Sequence, residues 1–205
     1  MKLFLTILTI PHIIACIVLY KNKSIAKDLA KCVDYIEREK ESFLMINNDY
    51  YHVLVAAEDH RNLIHYGIDP IAIIRCIYVQ LTKGVTQGGS TIEQQLVRTL
   101  TGRYEKTFRR KFREQIIAIL LNLSVKNKNT IGKAYLHCAY FGHAKKGFFN
   151  LSNSDRKDPS EVIARLKYPT KNNERPSDSK KIKRRKEHID NILRKQVRFI
   201  NKKAC

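Results

Sequence analysis

Acidic residues are scarce in this sequence: 19 Asp and Glu stand against 39 Lys and Arg, a formal charge of +20. That imbalance points to an anionic partner, be it nucleic acid, an anionic membrane surface or a phosphate-bearing substrate, and composition does not choose among them. Cysteines are few and unpatterned. The five (Cys16, Cys32, Cys76, Cys138 and Cys205) hold no C-x-x-C spacing and are odd in number, which argues against a disulfide framework and a zinc site. Internal repeats are lacking, and strand-like alternation is confined to residues 51–55. What is present is enough apolar material, 43% of the chain, to bury a core, so disorder throughout is excluded. At 205 residues one domain is expected, with two small ones the upper limit.

The longest uncharged run covers residues 3–20, interrupted only by Pro11 and His12 and flanked by Lys2, Lys21 and Lys23. As a helix rising about 1.5 Å per residue, it approaches the thickness of a bilayer's hydrocarbon core. Residues 1–23 are therefore read as an uncleaved single-pass anchor. The rivals are a cleaved signal peptide and a lipoprotein-type box at Ile13-Ile14-Ala15-Cys16; against both, Ile17, Val18, Leu19 and Tyr20 continue the apolar run past the cysteine. A buried helix of a soluble protein would carry a polar face, which this run lacks. Counting positive charges sets Lys2 and the amino terminus against Lys21, Lys23, Lys27 and Lys31, and taken alone puts the following domain in the cytoplasm.

Beyond the anchor the periodicity is helical. Ile25, Leu29, Cys32, Val33 and Ile36 predict a connecting helix within residues 24–50. Asp69-Pro70 caps a helix that closes at Gly84, with Ile71, Ile74, Tyr78 and Leu81 on one face. Ser90 and Glu93 have capping-box spacing for a helix ending at Gly102. Phe108, Phe112, Ile116, Ile119, Leu120 and Leu123 form the stripe of a longer helix, read as core packing, and residues 131–141 form a shorter helix ending at Gly142. Residues 150–180, with Pro159, Pro169 and Pro176, read as loops around a short helix at 160–166. The fold class is mainly α.

Two segments carry chemistry. Glu58-Asp59, followed by His65, Gly67 and Asp69, puts adjacent carboxylates before a helix; on its own this is an ordinary solvated pair as readily as a base and its neighbour. Gln87-Gly88-Gly89-Ser90-Thr91-Ile92-Glu93-Gln94-Gln95-Leu96 exposes backbone N–H groups at a helix start, which suits an anionic oxygen. In this order the two resemble the ED-x-x-F-x-x-H-x-G and GGSTITQQL motifs of the peptidoglycan glycosyltransferases, glycosyltransferase family 51. That family's R-K-x-x-E motif appears as Arg110-Lys111-Phe112-Arg113-Glu114, and its I-L-E-x-Y-L-N motif partly as residues 131–137. Glu161-Val162-Ile163-Ala164, Tyr168-Pro169 and Arg184-Arg185 through Ile192-Leu193 are similar to its closing segments. The resemblance covers about residues 51–193, the glycosyltransferase domain, ahead of a basic tail at 194–205, and the length suits the monofunctional, membrane-anchored type.

The resemblance implies a lysozyme-like, two-lobed helical domain behind an N-terminal transmembrane helix, with a jaw lobe against the membrane. It also implies polymerisation of lipid II into β-1,4 glycan strands with release of undecaprenyl pyrophosphate, outside the bacterial cytoplasmic membrane; on that ground the charge count is overruled. By resemblance Glu58 is the general base, Asp59 holds its position or charge state, and Glu114 is a second required glutamate that holds cations or a divalent metal such as Mg or Mn in place. Inverting transfer needs such a base, and the departing pyrophosphate needs positive charge. Arg110, Lys111 and Arg113 suit that role, Arg98 and Lys106 suit donor phosphates, and Ser90, Gln94 and Gln95 suit substrate hydrogen bonds. His65 is read as structural.

Several positions depart from the family's pattern. Asn62 stands for Phe, which predicts weaker packing behind the catalytic loop. Glu93 stands for Thr, as a helix cap or a charge repelling the substrate. Lys133 and His137 replace Glu and Asn, and residues 143–158 keep little of the fifth motif beyond Gly147. A catalytically degenerate domain that binds lipid-linked precursor or cell-wall assembly partners is therefore the alternative function. From Lys180 to Lys203 eleven basic residues accompany two acids, with Ile182, Ile189, Ile192, Leu193, Val197 and Ile200 at helical spacing. Such a helix suits anionic membrane lipids. It also suits a nucleic-acid backbone, but no recognised motif accompanies it and no nucleic-acid partner is expected. A glycan-cleaving, lysozyme-like activity is conceivable from two carboxylates across a groove, and the motif order argues against it.

Overall fold

The computed structural model describes residues 2–172 and 175–204, with side chains described for 3–172 and 175–196. Among the described residues the chain forms ten α-helices and one hairpin. In order these are α1 (Lys2–Leu19), α2 (Lys23–Arg38), α3 (Lys40–Leu44), α4 (Asn48–Glu58), α5 (Pro70–Lys83), α6 (Ile92–Thr101), α7 (Phe108–Val125) and α8 (Lys128–Cys138). The antiparallel strands β1 (Tyr140–Gly142) and β2 (Lys145–Lys146) follow, then α9 (Pro159–Lys167) and α10 (Pro176–Ala204). Cys16, Cys32, Cys76 and Cys138 are free thiols; Cys205 and the side chains of Val197 and Ile200 lie outside the described residues.

Local chemistry sets most of the helix ends. Asp69 Oδ1 accepts the Ala72 N–H at 3.1 Å, Pro70 opens α5, and Gly84 closes it at φ 63°. Thr107, Asn127 and Asp158 cap α7, α8 and α9 through their side-chain oxygens. Three expectations are corrected. Residues 51–55 lie inside α4, where Tyr51, Val53, Leu54 and Ala56 are buried on a helical arc; an isolated strand there would have no pairing partner. The connecting helix expected within 24–50 breaks at Glu39, and the turn that follows drives Phe43 into the core. On α7, Phe108 and Leu123 are exposed, while all of residues 114–119 are buried, because α1, α2, α6 and α8 all pack against this central helix.

α1 lies along α7. Leu5, Thr9 and Cys16 are buried, the Cys16 thiol donates to the Ile116 carbonyl oxygen at 3.8 Å, and His12 Nε2 meets Gln115 Oε1 at 3.3 Å. The other face, with Leu3, Ile7, Ile10, Ile14, Ile17 and Val18, is exposed. No single helix among the described residues is long and apolar enough to cross a membrane; Leu3–Leu19 together with Lys23–Arg38 has the length and composition, with a 104° bend between them.

Gly67 fixes the turn between α4 and α5 against the core. Its φ is +86°, and a Cβ there would strike the Ala118 carbonyl and come within 2.9 Å of Ile119 Cα. Both the left-handed backbone and the contact exclude a side chain. Gly67→Ala is expected to destabilise the protein by about 3 kcal/mol, from overpacking plus backbone strain, read from urea unfolding.

Candidate active site

Glu58 ends α4, and its two oxygens have different surroundings. Oε1 accepts from Arg185 Nη2 of α10 at 2.9 Å, and the same nitrogen donates to the Ala57 carbonyl oxygen at 2.9 Å. Oε2 has only a 3.5 Å contact from Gln95 Nε2, and Gln95 Oε1 in turn accepts from the Tyr135 hydroxyl at 2.6 Å. Glu58 is thus presented as a carboxylate, one oxygen clamped and the other open. Burial pushes the Tyr135 phenol well above its usual range, so it stays a donor.

Asp59, the neighbour in sequence, turns inward. It accepts from His65 Nε2 at 2.9 Å, from Asn62 Nδ2 at 3.1 Å and from the Ile92 N–H at the start of α6 at 3.1 Å. Burial alone would raise its carboxyl, but the bond and charge of His65, then Asn62 and the Ile92 N–H, outweigh that and hold it below the usual carboxylate range. Asp59 therefore ties the turn after Glu58 to α6. Asn62 completes the tie, accepting from the Tyr51 hydroxyl at 3.1 Å, so the expected loss of packing at this position is offset by hydrogen bonds.

Across α6 a second carboxylate is ringed by cations. Glu114, almost wholly buried, accepts from Arg98 Nε at 3.0 Å and Nη2 at 2.9 Å, from Lys111 Nζ at 3.0 Å, and from Arg110 Nη1. Lys111 Nζ also reaches Ser90 Oγ at 2.8 Å and Gln94 Oε1 at 2.5 Å, and Arg98 Nη2 reaches Ser90 Oγ at 3.1 Å. Burial pushes the Lys111 ammonium down and Glu114 offsets part of it; the Glu114 hydrogen bonds raise Arg98. Three cations on one carboxylate leave two positive charges uncompensated, which is suited to a phosphate or pyrophosphate. The same crowding leaves Glu114 unfit for a divalent cation: its two oxygens are already taken by positively charged donors.

A model of the transglycosylase family matches residues 26–154, well over half of the chain. The chain belongs to that family. It is 37% identical over 113 residues to penicillin-binding protein 1A of Aquifex aeolicus, covering 53% of this chain and 15% of that protein. Penicillin-binding protein 1F of Bacillus subtilis is 39% identical over 111 residues, 54% of this chain and 15% of that protein. Penicillin-binding protein 1A of Escherichia coli is 38% identical over 94 residues, 45% of this chain and 11% of that protein. The chain thus spans about 15% of the length of the first two of these relatives.

In this member of the family, Ser90, Gln94, Arg98, Arg110, Lys111 and Glu114 form one cluster and Glu58 with Gln95 another, the adjacent Gln94 and Gln95 of α6 serving one each. Arg113 is elsewhere: it binds Asp28 at 2.7 Å and Ser24, on α2. Lys106 is exposed in the loop before α7. The cap of α6 is Thr91, whose hydroxyl accepts from the Gln94 N–H and donates to Gly67 O at 2.7 Å; Ser90 is released to the cation cluster. Glu93 faces the core, ion-paired with Lys128, and does not cap its helix. Sequence reasoning gave no role to Arg185, Tyr135 or Lys128. The Arg184-Arg185 pair and the fourth-motif tyrosine were the available signals for the first two. Beyond Gln95, a cleft of about 400 Å³ opens between α2, α6, α8 and the hairpin, lined by Tyr35, Thr99, His137, Lys146 and Phe149 among others.

Proposed function

We propose that this chain is a peptidoglycan glycosyltransferase that polymerises lipid II, with Glu58 as general base. What carries the reading is the pairing of an open carboxylate oxygen, Glu58 Oε2, with a cation-rich cluster on the next face of α6. Glu58 Oε2 takes the proton of the acceptor sugar's hydroxyl as that oxygen bonds to the donor's anomeric carbon. The bond from that carbon to the pyrophosphate oxygen breaks on the opposite face. The electron pair leaves with undecaprenyl pyrophosphate, whose charge Arg98, Arg110 and Lys111 meet. Ser90 and Gln94 orient those cations, and no step calls for a metal. The 400 Å³ cleft, with its aromatic and amide lining, takes the glycan strand.

The exposed apolar face of α1 and the exposed Ile74, Ile77, Tyr78 and Leu81 of α5, which packs on α1, form the membrane-side lobe. The charge of +20 holds the protein to anionic lipids of the bacterial cytoplasmic membrane, with the site outside, beside other cell-wall synthesis proteins. The test is polymerisation of labelled lipid II by the detergent-solubilised protein, with lipid II binding measured in parallel. Polymer supports the transferase; binding without polymer supports the degenerate, precursor-holding alternative. Arg185→Ala releases Oε1 of the base and is expected to lower turnover by about 10- to 100-fold with lipid II affinity unchanged, as loss of orientation does.

A further inference from the structure

The charges at Glu93 and Lys128 have no part in the chemistry above. Glu93 is fully buried, His65 and Asp59 nearly so, and a ring nitrogen of His65 and one oxygen each of Asp59 and Glu93 lie within 4.8 Å of one another. His65 Nε2 is bonded to Asp59, and Lys128 is ion-paired with Glu93 Oε1. In this group two buried polar atoms have no partner: His65 Nδ1 and Glu93 Oε2.

We propose that Glu93 is a positioning residue for the base, holding His65 doubly protonated between Asp59 and Glu93 in a buried tetrad closed by Lys128. The proposal rests on Glu58 being the base. Charge balance decides the protonation. Asp59 and Glu93 bring two negative charges and Lys128 one positive, so an imidazolium brings the sum to zero. A neutral imidazole would leave a net negative charge buried, and a divalent cation with neutral imidazole a net positive one; both are costly away from water. The other titratable groups facing the tetrad are His60, whose imidazole burial and then the Arg61 charge push down, and Tyr51 of α4. Burial first, then the charges of Glu93 and Asp59, push its phenol up to about 12, so it contributes no charge. With both ring protons in place, His65 binds Asp59 as an ion pair, and Asp59 fixes the turn after Glu58 to the Ile92 N–H. The family motif has Thr where this chain has Glu93, so the device belongs to this chain.

The experiment records the imidazole nitrogens of the ¹⁵N-labelled full chain by long-range ¹H–¹⁵N correlation, with His65→Gln identifying the signal, and polymerisation over the same pH range. Both His65 nitrogens are expected to stay protonated from about pH 6 to 8 in the unmodified protein, and one to lose its proton within that range in Glu93→Gln. Polymerisation by Glu93→Gln should match the unmodified protein near pH 6 and fall at least about tenfold below it by pH 8, because the lock weakens as the ring deprotonates. If Glu93→Gln does not fold, Glu93→Thr makes the same charge change with the residue of the family motif and should give a neutral ring near pH 7. A neutral His65 in the unmodified protein, an unchanged ring and pH profile in the variants, or a stoichiometric metal ion bound to the ring would overturn the tetrad. Absence of polymer from every protein would sink the transferase reading while the ring signals still decide the tetrad.

Discussion

Glu58→Gln is expected to cut the rate of glycan polymerisation by about 10²–10⁴-fold, the usual share of a well-placed base. The amide keeps the size of the side chain and can still accept from Arg185, so folding and lipid II binding should survive. That separation makes the measurement decisive. Loss of turnover with binding retained assigns the proton transfer to Glu58. A variant that keeps more than about a tenth of the rate would move the base to another group, since such a residue would be supplying less than about 1.4 kcal/mol of barrier lowering.

Glu114→Gln should have a different signature, damaging both stability and turnover. It removes the negative charge that Arg98, Arg110 and Lys111 share, leaving half-buried cations facing one another. Breaking such a network by removing one partner costs about 3 kcal/mol, or roughly 6–12 °C in melting temperature for a chain of this size. Turnover should fall as well, because repulsion spreads the cations that meet the pyrophosphate. Acid should expose the same carboxylate. Burial alone would raise the Glu114 carboxyl, but the Arg98 bond and the charges of Lys111 and Arg98 hold it below its ordinary value. A carboxyl depressed on folding contributes fully above its unfolded value, about 4.3, and that contribution is lost as the pH falls through the folded value. Urea unfolding from neutral pH to about pH 3 should therefore show a steeper acid loss for the unmodified protein than for Glu114→Gln. Equal slopes would mean that Glu114 has little part in holding the cations together.

What was legible in the sequence was local. Asp69-Pro70 and Gly84 bracket α5 because cap, first-turn proline and left-handed glycine act within a few residues. Ser90 and Thr91 are neighbouring hydroxyls, and either could cap α6; the choice of Thr91 depends on its bond to Gly67, 24 positions away. Likewise Glu93 looks like a surface cap until Lys128, 35 positions on, is brought beside it. Glu58, Glu114 and the α6 residues were found by motif, but motif order does not tell which way a side chain turns. Arg113 lies in the same motif as Glu114 and points to α2, because α7 rotates it toward Asp28. The anchor was read from an unbroken apolar run, and hydropathy alone gave no sign that one face of it docks on α7 through Leu5 and Cys16.

Arg185 reaches Glu58 from 127 residues further along the chain. During synthesis α4 emerges long before α10, so the nascent chain carries Glu58 with no clamp for most of its elongation. The clamp forms only when residue 185 has been made and α10 has docked against α4 and α9. Assembly order thus acts as a timer: the Glu58 carboxylate is held in place only once α10 has been made and packed.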